Sequence, residues 1–186
     1  MKYLSISFSP PIMKNKISHF AILVFFICSC HKENIQKHNI GQGFEIYIPK
    51  KDIHSIWGAD YSTFNIDTIK LQEIPVLRYD DILKYDTANH TITLPFSKNQ
   101  LLFKSTSVHG NMFVATLDKK PIYCGFYWPS ISSVPTTWVN IFDVNFPPEN
   151  ATEKKVVIDF TSPKQKDPRK NDTLIARLKQ DSKIFK

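Results

Sequence analysis

Apolar and polar positions divide this chain into three regimes. Residues 20–27, FAILVFFI, form an unbroken apolar run. Residues 31–42 are polar and lead into Gly41-Gln42-Gly43, the composition of a flexible tether. From residue 44 the apolar positions come in short segments, several with the period of two that marks a strand. Residues 44–48 alternate until Pro49 closes them. Residues 52–72 are ambiguous: Trp57-Gly58 marks a turn, and 66–71 reads as a possible second strand. Residues 90–94 alternate cleanly, with Ile92 and Leu94 on one face. Residues 112–117 and 121–127 flank Asp118-Lys119-Lys120, a hairpin signature with a short charged loop. Residues 138–144 and 155–160 complete the strands, with Pro147-Pro148 between them.

Helical signals are fewer. Tyr79 or Asp80 is placed to cap a short helix in which Ile82, Leu83 and Tyr85 share a side, and Asp81 suits its dipole. Ser97 is placed to cap a second short helix over 97–103. Asp172 or Thr173 opens a last one, with Leu174, Ile175 and Leu178 as its apolar face. The expected fold is α+β: a compact, antiparallel-sheet-dominated domain over 44–186 with two or three short helices. Only five glycines argue against a β-solenoid.

The apolar run at 20–27 follows Lys14 and Lys16 and is too short to span a bilayer, which takes roughly 20 residues. It exits through Ile27-Cys28-Ser29-Cys30, which resembles the lipobox of bacterial lipoproteins. The resemblance implies a signal peptide over 1–29, a lipid on Cys30, a tether over 30–43 and a place in the cell envelope. His31 follows Cys30 and no Asp lies beside it, which favours the outer over the inner membrane. Residues before Met13 lack a leader pattern and include Pro10-Pro11, so Met13 is the expected start. A plain secretory signal and an uncleaved anchor are the rival readings.

Charge and cysteine content narrow the chemistry. Three of the 24 basic residues precede Cys30 and all 17 acidic ones follow it, leaving the mature chain at +4. That dispersed charge is not a nucleic-acid signature. Residues 164–170, with Arg177, Lys179 and Lys183, form a basic C-terminal stretch that reads as solvated tail or lipid-headgroup contact. Cys124 has no internal partner and sits among aromatic residues, as a buried small hydrophobe does.

The chain carries no H-E-x-x-H, G-x-S-x-G, P-loop or G-x-G-x-x-G pattern. No catalytic residue, cofactor or metal is assigned. Two constellations keep chemistry open. Asp80, Asp81 and Asp86 with His90 would suit a hard cation or acid–base work if they converged, and Cys124 with His90 or His109 would suit a nucleophile. The aromatic stretch 123–128 with Trp138 and Phe142 reads either as core or as a stacking platform, with Tyr127, Trp128 and Trp138 as candidate ligand-binding residues. Three consecutive aromatics cannot share one strand face, so one of them is exposed or covered by the loop 129–137.

Residues 73–128 resemble an uncharacterised family of small bacterial secreted proteins, on EIPVL at 73–77, Asp80-Asp81-Ile82, HTITL at 90–94 and the hairpin. More locally, TLPFS at 93–97 and VATLDKKPI at 114–122 are similar to the head subdomain of a protein-export translocase subunit. Asp67-Thr68-Ile69, Asp86-Thr87-Ala88 and Asp172-Thr173-Leu174 resemble an O-glycosylation tripeptide of one bacterial phylum. None of these implies an activity.

Three functions are therefore in view. The leading one is a membrane-anchored, non-enzymatic lipoprotein that binds an envelope protein or glycan. The others are a hydrolase-type enzyme with an unrecognised site, and a structural accessory of an envelope complex. A polar pocket holding Asp80, Asp86 and His90 would favour the enzyme. An exposed patch including Trp128 or Trp138 would favour the binder, and neither would leave the accessory.

Overall fold

The computed structural model describes residues 37–103 and 106–185. Cys30, the leader and the first part of the expected tether lie outside them. Eight strands form two sheets: β1 (Phe44–Tyr47), β2 (Lys84–Asp86), β3 (Thr91–Thr93), β4 (Asn111–Leu117), β5 (Lys120–Trp128), β6 (Val139–Phe142), β7 (Lys155–Val157) and β8 (Asp159–Phe160). One sheet has the order β1-β4-β5-β6-β8 and the other β2-β3-β7. Every pairing is antiparallel except β5 with β6. The molecule is thus sheet-dominated, as the alternating pattern implies.

The β4–β5 hairpin is the spine. Its loop is Asp118-Lys119, both with positive φ, at 50° and 68°. Two such residues make the loop that matches the twist of flanking strands. Gly125 lies opposite Phe113, and a β-carbon there would collide with the Phe113 ring. Both faces of the spine are covered. Tyr61 packs against Phe126 and Trp138, while Phe103 stacks on Tyr127 and meets Phe113.

The helical expectations need correction. Among the described residues there is one α-helix, α1 (Asp172–Gln180), and five single 3-10 turns. Asn171 caps α1 by accepting from Leu174 N–H, one residue before the expected caps, and Leu174 and Leu178 are buried. At 79–86 the helix is replaced by a 3-10 turn, Tyr79–Asp81, that runs into β2. Asp81 accepts from the Arg78 N–H and ends the turn. Alternation then sends Tyr85 into the core, with Lys84 exposed beside it. The second expected helix shrinks to Lys98–Gln100, where the Ser97 hydroxyl makes no cap bond. The possible strand at 66–71 is a 3-10 turn over Ile66–Thr68, and Leu71 makes only an isolated bridge to Pro49.

β1 forms where the alternation places it and is buried on both faces. Glu45 is buried and its Oε2 accepts from the Tyr47 hydroxyl at 2.7 Å and from the Gly41 N–H at 2.8 Å. The expected strand over 155–160 is two strands. The chain leaves β3 after Val157, turns at the fully buried Ile158, and joins β6 as β8.

The end of the expected tether is docked. His38 N–H donates to the Asp80 carboxylate, whose Oδ1 also meets the His38 ring at 2.9 Å. Gly43 N–H donates to Asp118 in the hairpin loop, and Arg177 of α1 binds the same carboxylate. From His38 onward the chain is part of the domain, tying its amino-terminal end to the hairpin loop and α1.

Candidate binding groove

Most of the residues singled out from sequence are structural. Tyr127, Trp128 and Trp138 are buried, at 2, 3 and 3% exposed. Their polar atoms are used inside the fold. The Trp138 Nε1–H donates to the Cys124 carbonyl, Trp128 Nε1–H to the Val134 carbonyl, and the Tyr127 hydroxyl to Asp143. Of the two readings of this stretch, core and stacking platform, the burial matches core: both faces of β5 are covered, and the Trp128 indole meets the loop 129–137.

The acidic constellation also separates. Asp80 holds His38, Asp81 ends the 79–81 turn, and Asp86 accepts from Ala88 and Asn89 N–H in the β2–β3 loop. The described residues bring no three His, Cys, Asp or Glu side chains together for a metal. Cys124 is buried, and burial pushes its thiol up to about 11. His90 finds different partners. It lies buried with Nδ1 2.8 Å from the Tyr85 hydroxyl, and Nε2 faces Asp167 at 3.8 Å. Arg169 grips that Asp167 carboxylate through Nε and a terminal nitrogen. Burial, followed by the Arg169 charge, lowers the His90 pKa. Tyr85 and His90 are buried, and this Tyr–His–Asp row ties the 163–171 loop to the core.

The exposed aromatic surface lies elsewhere. Where the chain turns at Ile158 the two sheets separate, leaving a groove of about 880 Å³ between β6 and the outer face of β2-β3-β7. Phe142, Phe146, Val157 and Phe185 line it and are each about half exposed, at 47, 47, 52 and 49%. Thr91 and Thr93 contribute to its lining, and the Lys98–Glu153 ion pair sits at 3.1 Å beside it.

Hydrogen-bond phase defines what this groove presents. Leu94 N–H donates to the Lys154 carbonyl and Ile158 N–H to the His90 carbonyl. Antiparallel ladders alternate, so Val156 turns its backbone toward β3 while Lys155 and Val157 turn theirs outward. On the other wall, Asp143 N–H donates to the Trp128 carbonyl. The parallel ladder therefore points Ile141 at β5 and Phe142 away from it. β6 meets β8 through Asn140 opposite Asp159, and Thr161 N–H donates to the Trp138 carbonyl. In that register the next pair would be Phe142 with Val157. The recorded β6–β8 ladder ends at Asn140–Asp159, and Val157 pairs with Thr91 of β3 instead.

Sequence reasoning places Phe142 in a strand but misses the groove. Phe146 and Phe185 carry no periodic signal. The split at Ile158 is invisible because VVIDF at 156–160 keeps one alternating pattern while its partner changes. The chain matches no family model, and comparisons with curated proteins and with solved structures return no match.

Proposed function

We propose that this protein is a lipid-anchored, non-enzymatic binding module of the cell envelope that holds an extended polypeptide segment in the groove between its sheets. The observation that carries the reading is the groove lined by half-exposed apolar side chains where the β6–β8 ladder ends. A strand edge with open N–H and C=O groups is completed by another main chain, with flanking apolar pockets choosing side chains. Phe142, Phe146, Val157 and Phe185 supply such apolar contacts. Of the two ligand classes open from sequence, a protein or a glycan, the peptide is favoured because the backbone groups of Phe142 and Val157 point away from β5 and β3.

The anchor reading rests on Ile27-Cys28-Ser29-Cys30, with the lipid on Cys30 and an outer-membrane destination preferred. No described helix is long and apolar enough to cross a membrane. The test of the binding reading is selection of displayed random peptides on the purified protein. Selected peptides are expected to bind the native protein and to lose at least tenfold in affinity for Val157→Pro, which removes one outward N–H. Peptides that bind both proteins alike, or selection of glycans from an array with no peptide enriched, would refute it.

A further inference from the structure

The charges along the groove are sorted by sign. On the outer face of β2-β3-β7, Asp86 stands opposite Thr91 and Thr91 opposite Val157, while the next row sets Thr93 opposite Lys155. Of the charged side chains that line the groove, three are used locally. Lys98 pairs with Glu153 at 3.1 Å, and Asp143 accepts from the Tyr127 hydroxyl and the Asn145 N–H. Four remain, with Asp86 and Asp159 at one end and Lys154 and Lys155 at the other. Among the described residues neither of these lysines has an ion-pair partner. The two carboxylates accept only from N–H groups close by in sequence, on Ala88, Asn89 and Phe160. Val157 stands between the two ends, half-exposed.

We infer that the segment held in this groove carries opposite charges on one face: a basic side chain toward Asp86 and Asp159, an apolar one against Phe142 and Val157, and an acidic one toward Lys154 and Lys155. The inference rests on the reading of the groove as a peptide site and names the peptide's chemistry. Lys155, Val157 and Asp159 occupy alternate positions of the chain. Each step of two residues along a strand covers about 7 Å and returns to the same face, so an extended occupant answers them with residues at i, i+2 and i+4. Fixed charges of opposite sign at the two ends set such an occupant in register and repel one of uniform charge, and a recess with apolar walls strengthens both effects. An uncharged glycan gains nothing from the sorting, and an anionic lipid surface is repelled by the Asp86 end. A second copy of this chain offers the same recess, and two recesses do not fill one another.

The test selects displayed random peptides on the purified full-length protein and then exchanges charges across the contact. Selected peptides are expected to share a basic, an apolar and an acidic residue at alternate positions, in either chain direction. A selected peptide is expected to lose about tenfold in affinity for Lys155→Glu, and to regain most of it when its acidic residue is changed to Lys. That rescue shows that the exposed Lys155→Glu protein is folded. Raising the salt concentration is expected to weaken the native pair and to leave an uncharged version of the peptide unaffected. Selected peptides with no common charge pattern, or equal binding to Lys155→Glu, would overturn the inference and leave the groove a peptide site. Selection of no peptide at all would overturn both. Self-association of the native protein that Lys155→Glu abolishes, with no peptide selected, would assign the groove to a second copy and overturn both as well.

Discussion

At the scale of single residues, two buried ionisable groups respond to pH in opposite directions. His90 is buried and its pKa is held below the ordinary 6.5, so the unfolded chain takes up a proton first as pH falls. Its stabilising contribution is complete above 6.5 and is lost as pH falls through the lowered value. The melting temperature is expected to drop as pH falls below 6.5, and His90→Gln is expected to flatten that drop. Glu45 is the reverse case. Burial raises its pKa above 4.5, against the bonds from Tyr47 and Gly41. Its favourable contribution is present below 4.5 and fades as pH rises through the raised value. Glu45→Ala is expected to cost about 2 kcal/mol in denaturant unfolding, because it leaves the Gly41 N–H and the Tyr47 hydroxyl unpaired. Cys124 supplies a third check. Its thiol is expected to resist a thiol reagent in the native protein and to react fully once unfolded.

Elements were legible from sequence in proportion to how local their causes are. The β4–β5 hairpin is readable because two strand-like runs flank the short charged loop Asp118–Lys120, which the structure tightens to Asp118-Lys119, and α1 because Leu174 and Leu178 recur at i and i+4. The residues around Tyr79 mislead because acidic residues near a cap look helical, while burial of Tyr85 on an alternating segment makes them a turn and a strand. The burial of Glu45 and the choice between core and platform for the aromatic trio stay open in the sequence for one shared reason: alternation tells which face a side chain takes, not whether that face is covered. Gly125 illustrates the cost of close cover. Gly125→Ala is expected to destabilise the hairpin by about 1–3 kcal/mol, as overpacking against Phe113 does, read by chemical denaturation. The sheet junction gives a sharper contrast. Val156→Pro removes a bond to β3 and is expected to lower the melting temperature strongly. Val157→Pro, one residue on, removes only an outward N–H and is expected to leave the native circular dichroism unchanged.

At the scale of the molecule, the groove was not legible at all. It exists because one continuous segment, 155–160, serves two sheets, and that exchange of partners is a tertiary event. The docked residues 38–43 belong to the same scale, since their bonds reach Asp80 and Asp118, far along the chain. The address, by contrast, rests wholly on sequence at Ile27–Cys30. Replacing Cys30 with Ser is expected to move the protein from the membrane to the soluble fraction, and unchanged membrane recovery would remove the lipid from the account. The reading of the domain as a strand-accepting module meets its most direct test in amide exchange, followed residue by residue with and without a saturating selected peptide. The account expects Phe142, Lys155 and Val157 to exchange rapidly in the unbound protein and at least tenfold more slowly in the complex, with Val156 protected in both. Unchanged exchange at all three outward amides, with the peptide demonstrably bound, would contradict it.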